Sequence, residues 1–523
     1  MSLQSLVRAH RSRSSYALAL LLVGACHESE SDIASSASST ADAGETPQDL
    51  PDAAPDAEEG EAKEAHAETV RVLALSTEGH DRLYGVTHDT MGNIYVVGQS
   101  AESTATDADF AIVLAKLDAL GNLDSSFAEG GIAKQNVTVG GGSVEVARGV
   151  VVQSTGKIVV AGVAEHDPQA AGQLARDADI VLLRFNADGS LDGTFGREGV
   201  ARFDLGTGVE TQGMNGPTLS GGDAQWSLSL AANDGLVVHG ATRAKGTKSD
   251  GTERTDTDWA LLRLAADGAR DSDFGEDGMV TLDIGEANGS ARSATVLADG
   301  SIIGTGYATT TTLGESTQQP VLYKVTPAGA FDESFATEDA TAATGVFYDY
   351  VTEPNLRAEA YAAAPQGTSL VTLGYGPTPG TGTSTDWVFC RFTGEGALDR
   401  TFGKNGIRYV DVEGYGDNGR AVVVLPDARI LGIGGGRKAP EAPLAEGAVP
   451  PADAMIALLT EDGDLDPLYG EGGVKLFDFG GAGDFFWGGE VAPRGDTVAV
   501  VGIAGAKSEK DDDDAVLLLM KLD

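Results

Sequence analysis

A unit of about 67 residues recurs along this chain, so any fold must give its copies equivalent surroundings. Each copy reads as an apolar run, a Gly-centred turn, a second apolar run ending in Gly, a variable loop, a third apolar run and a Leu-Asp-x-x-Phe-Gly-like corner. The corner aromatics are Phe127, Phe195, Phe274, Phe335, Phe402 and Tyr469. The second-run glycines are Gly98, Gly162, Gly240, Gly306, Gly374, Gly434 and Gly502, an independent marker with the same spacing. Lys116, Arg184, Arg263, Lys324, Arg391 and Leu458 each precede their aromatic by 11 residues. Gly131, Gly199, Gly278, Gly406 and Gly473 follow theirs by 4, and the fourth copy departs with Asp339.

The copies predict four-stranded antiparallel sheets. In the second, Gly149 to Gln153 and Lys157 to Ala161 form a hairpin across Ser154-Thr155-Gly156, followed by strands at Ile180 to Phe185 and Val200 to Leu205. Ile158-Val159-Val160-Ala161 is apolar without alternation, so both sheet faces must be covered. Neighbouring copies on either side can do this, which predicts an all-β, seven-bladed β-propeller of four-stranded antiparallel blades. The seventh copy runs from Trp487 through Ala515 to Leu519 and stops before a fourth strand. Thr69 to Leu75 precedes the first hairpin without a blade of its own, so it is expected to pair beside the last strand and complete the last blade. Gly makes up 71 of the 523 residues, in keeping with many tight turns.

Upstream of the repeat the composition changes. Arg8, Arg11 and Arg13 precede an apolar run from Tyr16 to Ala25, shorter than the roughly 20 residues that cross a bilayer. Residues 1–25 read as a signal peptide. Leu21-Leu22-Val23-Gly24-Ala25-Cys26 resembles a bacterial lipobox, which makes Cys26 the expected lipidation site; ordinary cleavage after Ala25 is the alternative. Residues 26–68 carry thirteen acids against the lone Lys63, with Ser, Ala, Thr and Pro and no apolar period. Such a segment predicts a disordered acidic tether, leaving 69–523 as the propeller. The net charge of −43 stays strongly negative without this segment and argues against a nucleic-acid partner. With only two cysteines the chain is not a disulfide-stapled scaffold.

Leu191-Asp192-Gly193-Thr194-Phe195-Gly196, Leu398-Asp399-Arg400-Thr401-Phe402-Gly403 and the Asp-Gly-Lys-like hairpin turns resemble the delta-60 repeat of bacterial surface and secreted proteins. The resemblance covers roughly residues 80–523, with Ala128 and Ala336 in place of the corner glycine. It implies a β-propeller at the cell envelope or outside the cell, and it carries over no catalytic residue.

The residues themselves supply little chemistry. Only His239 of the seven histidines sits in an expected strand, and no two stand at metal-ligand spacing. Cys390 lies on a third strand without a base beside it and reads as a buried thiol. Asn186 to Asp192 and Asp462 to Asp466 place oxygens at alternate positions, as calcium prefers, but Asx turns account for them equally. Asp511 to Asp514 reads as a solvated loop. Asp179 with Arg184, Asp258 with Arg263 and Asp386 with Arg391 lie five apart on a strand, on opposite faces, so each is expected to bridge to a neighbouring strand or blade.

No catalytic, cofactor or metal residue is therefore assigned, with calcium left open. The long second-to-third loops, Ala164 to Asp177, Ala241 to Thr257 and Gly435 to Pro451, share one face with the blade links, including Gly206 to Asp223. That variable face is the expected binding surface, for a protein or glycan. A monomeric, noncatalytic envelope propeller, held through a lipid anchor at the outer membrane or released outside the cell, is the expected class. An extracellular hydrolase or lyase acting on glycans or peptides, built from carboxylates of several blades, is the alternative.

Overall fold

A computed structural model describes residues 67–105, 108–138, 145–165, 177–213, 216–220, 222–310, 317–336, 346–348, 357–379, 384–439, 450–481, 483–505 and 512–522. The expected signal peptide, Cys26 and almost all of the tether lie outside these residues, as do Asp339 and Asp511. Seven four-stranded antiparallel sheets are present. Their first strands are Asp81–His88, Glu145–Val152, Ala224–Leu230, Gly289–Val296, Glu359–Gln366, Asn418–Val424 and Phe485–Val491, which open blades 1 to 7 in chain order. Each first strand lies against that of the next blade, and the circuit closes from blade 7 back to blade 1. Among the described residues the only helix is the one-turn Ala232–Asp234. No described helix is long and apolar enough to cross a membrane.

The apolar runs without alternation follow from this ring. In blade 2, Val159 and Ala161 join a core shared with Leu236, Val238 and Leu262 of blade 3. Their neighbours Ile158 and Val160 face the other way, into a core shared with Val97, Ile112 and Leu114 of blade 1. One strand thus feeds two cores, and each buried branched side chain contributes about 1.5–3 kcal/mol. The core between blades 7 and 1 has the same make-up, from Ala499, Val501 and Leu517 to Leu83, Ile94 and Val96.

Closure takes the expected form. Glu68–Leu73 pairs antiparallel with Asp514–Lys521 and forms the outer strand of blade 7, with Val70 opposite Leu518 and Val72 opposite Val516. Leu73 and Leu75 enter the core between blades 7 and 1. Glu68 is also held by the Tyr469 hydroxyl at 3.1 Å and by the Lys475 ammonium, so the strand is fastened to blade 6 as well.

The corner motif is explained by two contacts. The cation 11 residues upstream pairs with the corner aspartate: Arg184 with Asp192 at 2.7 Å, Arg263 with Asp271 at 2.8 Å, Arg391 with Asp399 at 2.7 Å. The guanidinium then lies over the corner ring, 4.8 Å from the Phe195 centroid and 4.5 Å from that of Phe274. In blade 6, where Leu458 replaces the cation, Arg429 reaches Asp466 from the turn before the second strand. The corner residue after the aromatic adopts a left-handed backbone and donates its N–H to the next blade's turn, as Gly403 does to the Asp462 carbonyl at 2.8 Å. Ala128 and Ala336 occupy the same conformation, at φ 43° and 61°. The link between blades 2 and 3, Gly206 to Asp223, contains a two-stranded ribbon, Val209–Gly213 with Gly216–Ser220.

Candidate functional site

All seven first strands carry a β-bulge at one level of the channel. The pairing with the second strand skips Tyr84, Arg148, Trp226, Tyr361, Arg420 and Trp487, and in blade 4 Arg292 with Ser293. Each bulge sits beside one of the seven repeat-marking glycines. A Cβ on Gly98, Gly162, Gly240, Gly306, Gly374, Gly434 or Gly502 would lie 1.8 to 2.3 Å from the carbonyl oxygen two residues before the bulged position. The glycine exists because the bulge pushes that carbonyl into the space a side chain would fill. The residue after the bulge is small for a related reason: a Cβ on Gly85 would lie 2.5 Å from the Arg148 carbonyl oxygen, and one on Gly488 2.7 Å from that of Tyr84.

Read around the ring, the bulged residues are Tyr, Arg, Trp, Arg, Tyr, Arg and Trp, and they touch. The Arg148 guanidinium lies 5.7 Å from the Tyr84 ring centroid and 4.5 Å from that of Trp226. Arg292 lies 4.1 Å from Trp226 and 4.6 Å from Tyr361. Arg420 lies 4.1 Å from Tyr361 and 4.7 Å from Trp487. Trp487 meets Tyr84 edge to face at 5.2 Å, which completes the belt. Cation–π attraction of about 0.5–2 kcal/mol per contact orients each guanidinium, but it does not neutralise it.

The three cations are not equivalent. Arg292 is ion-paired with Glu359 at 2.8 Å and donates to the Ser290 hydroxyl at 2.8 Å, while the Tyr375 hydroxyl donates to Glu359 at 2.6 Å. Burial works against its charge, and Glu359 with the surrounding tyrosines outweighs burial, so its proton is held more tightly than usual. Among the described residues Arg148 donates only to the Gln225 carbonyl oxygen at 3.3 Å, and its Nε has no partner. Burial, with Arg292 and Arg420 adding repulsion, lowers its affinity for its proton. Arg420 has no ion pair among the described residues, and its Nε and the Trp226 and Trp487 indole N–H groups are also without partners. A guanidinium remains protonated throughout the physiological range, so this belt supplies anion binding rather than proton transfer.

The residues singled out from sequence fall elsewhere. His239 is fully buried, accepting from the Tyr323 hydroxyl at 2.8 Å with its other nitrogen on the Ser293 carbonyl, and burial lowers its pKa to about 3. Cys390 is buried, which pushes its thiol pKa up. Asp188 caps the Ser190 N–H, and Asp466 caps that of Leu468, so these turns are Asx turns. Asp513 pairs with Arg82. Asp179 bridges to Arg202 on the neighbouring strand at 2.8 Å, while Arg184, Arg263 and Arg391 turn to the corner aspartates. On the variable face, the Ala241 to Thr257 loop and Gly206 enclose a cleft of about 300 Å³ lined by Arg243, Lys245, Glu253 and Arg254. The belt itself was missed. Its signal is an aromatic or Arg followed by Gly, Ser or Ala in every first run, from Tyr84-Gly85 to Trp487-Gly488.

A family model described as a domain of unknown function (DUF5122) beta-propeller matches residues 153–195. No curated protein matches the chain. Among solved structures, a protein of unknown function from Dyadobacter fermentans is similar at 12% identity and a TM-score of 0.41, covering 72% of this chain and 94% of its own. A Penicillium chrysogenum alpha-L-arabinanase is similar at 11% and 0.38, covering 71% and 91%. A Fusarium graminearum alpha-L-arabinofuranosidase is similar at 10% and 0.38, also covering 71% and 91%. Likenesses this distant carry no argument about activity.

Proposed function

We propose that this chain is a noncatalytic binding propeller displayed on the bacterial cell envelope, and that its axis receives a carboxylate of an acidic glycan. The observation that carries this reading is the pair Arg148 and Arg420, two guanidiniums on the axis of a protein of net charge −43 with no carboxylate answering either among the described residues. The planar forks of arginine match a carboxylate, and the flat rings of Trp226, Tyr361 and Trp487 between them suit the faces of sugar rings. Glu359, the carboxylate that adjoins the belt, is engaged by Arg292 and Tyr375 and is poorly placed to act as a general acid.

Calorimetric titration with a uronic-acid oligosaccharide is the test. The wild type binds it and ignores the neutral reduced sugar, and Arg148→Met with Arg420→Met weakens binding by about 10- to 100-fold, the loss of one or two charge-assisted hydrogen bonds. Equal binding of the charged and neutral forms overturns the reading. Release of new reducing ends from the oligosaccharide supports the hydrolase or lyase instead.

Display on the envelope rests on the lipobox-like run ending at Cys26 and on the acidic segment that follows it. Incorporation of labelled palmitate that is abolished by Cys26→Ser supports the anchor. Labelling that survives the substitution refutes it.

A further inference from the structure

A second set of groups recurs at the blade junctions. An aspartate stands 16 residues before the corner aromatic, at the start of the third strand: Asp179, Asp258, Asp386 and Asp453. Another stands 9 residues after it, where the fourth strand ends: Asp204, Asp283, Asp411 and Asp478. A third opens the next blade, three residues before its bulge: Asp223, Asp417 and Asp484. The blade ring brings each trio together across the gap between two blades, with carboxylate oxygens within 4.8 Å of one another.

The trios differ in what answers their charge. At the junction of blades 3 and 4, Asp256 replaces the third member and Arg254 lies inside the cluster, with Nη2 on Asp256, 2.7 Å from Asp258, and Nη1 2.8 Å from Asp283. The chain thus supplies its own cation there. At the junction of blades 2 and 3, Arg202 takes Asp179. At the junction of blades 5 and 6 no basic side chain among the described residues pairs with the trio: Arg437 donates its guanidinium to the carbonyl oxygens of Gly416 and Pro450.

Asp386 is the decisive group. It is 1% exposed, it lies within the trio, and neither carboxylate oxygen has a hydrogen-bond partner. Polar groups of Thr378 nearby ease the charge only in part, since burial still outweighs them. An ionised carboxylate buried in this way is costly unless something positive completes it. Asp417 is fixed by the Val412 N–H at 2.7 Å and the Arg437 N–H at 2.9 Å, and each of its oxygens keeps a free lone pair. Asp411 is exposed and gives the cluster a side open to solvent.

We infer that the junction of blades 5 and 6 binds calcium through Asp386, Asp411 and Asp417. Three carboxylates with no nitrogen or sulfur donor among them suit a hard cation, and calcium accepts an irregular all-oxygen shell where magnesium demands near-ideal octahedral geometry and keeps most of its waters. Burial and the neighbouring charge of Asp411 raise the pKa of Asp386 to about 6, which makes calcium and protons competitors there. The site lies on the variable face and joins two blades, so the ion would tie the loop side of the ring together independently of what the axis binds.

The test is calorimetric titration of the chelator-treated full chain with calcium chloride, run in parallel with thermal unfolding. The wild type is expected to bind with a dissociation constant of about 1 mM or tighter and to unfold at higher temperature with calcium. Asp386→Asn lowers the calcium stoichiometry by one. In calcium-free buffer the same variant unfolds at or above the wild-type temperature, because an unanswered buried charge has been removed. Asp411→Asn, on the exposed side, weakens the site by about tenfold and changes calcium-free stability less than Asp386→Asn does. Unchanged stoichiometry in Asp386→Asn, no heat from the wild type at 5-fold above ~1 mM, or magnesium binding as tightly as calcium each overturns the assignment.

Discussion

Arg391 at the rim and Arg420 on the axis each lie over an aromatic ring, 5.0 Å from the Phe402 centroid and 4.7 Å from that of Trp487. At the rim the charge is answered, since Arg391 is paired with Asp399 at 2.7 Å and donates to the Glu461 carbonyl oxygen of the next blade at 2.7 Å. On the axis it is not. A stacked guanidinium with a carboxylate and a carbonyl is a fastener between blades, whereas the same stack without them is half of an interaction whose other half is anionic. The difference separates what holds the ring from what the ring offers.

Substitutions at the two places should therefore fail in different ways. The largest effect is expected from Gly374→Ala, whose new Cβ would lie 1.8 Å from the Glu359 carbonyl oxygen and would force the blade 5 bulge out of register. A loss of about 3–5 kcal/mol in urea unfolding is expected, together with loss of ligand binding, because Tyr361 leaves the belt. Asp399→Ala comes next: it leaves Arg391 with only the exposed Asp462 at 3.8 Å and should cost about 2–3 kcal/mol. Arg420→Met should stay within about 1 kcal/mol of wild type or exceed it, since it removes a charge that nothing answers. If the two substitutions cost the same, rim and axis do not differ as described.

The titration of the two kinds of carboxylate sharpens the contrast. Burial raises the pKa of Asp386 to about 6, of Asp417 to about 7 and of Asp223 to about 8. A carboxyl whose folded pKa is raised favours the native state when protonated, so that contribution is lost as pH rises from the ordinary carboxylate value of about 4 through those values. In calcium-free buffer the urea midpoint should fall between about pH 5 and 8, and Asp386→Asn should flatten the fall. At the rim the sign reverses. The hydrogen bonds of Ser126 and Lys116 hold Asp124 down at about 2, so its contribution is present above about pH 4 and disappears only in stronger acid. The smallest expected change is a gain of about 0.5–1 kcal/mol from Ala128→Gly, which relieves a left-handed alanine at φ 43°.

Much of the rim was legible in sequence because it repeats within one copy. The 11-residue step from cation to corner aromatic is the stack, the Asp three residues before that aromatic is the ion pair, and the strand without a blade, Glu68–Leu73, is the closure. The belt was not legible for two reasons. Its members are selected by a bulge, which is a property of register between strands, and their identities alternate from blade to blade, so no single copy shows the pattern. The repeat-marking glycines stand out as a period, but their cause, a displaced carbonyl, appears only when the Arg82 carbonyl is seen against Gly98. The junction acids were hidden similarly, since Asp386, Asp411 and Asp417 come from three strands of two blades and each alone looks like a turn or strand-end residue. The exchange of Leu458 for Arg429 is a case where the contact is kept while its sequence position moves.

The belt as an anion site can be put to a direct crystallographic test. Crystals of the protein grown with selenate, measured at the selenium absorption edge, should show an anomalous peak on the channel axis within hydrogen-bonding reach of the Arg148 and Arg420 guanidiniums, and that peak should vanish in Arg420→Met. An axis without selenium signal while selenate binds elsewhere on the molecule, or a peak that persists in the variant, would contradict the account.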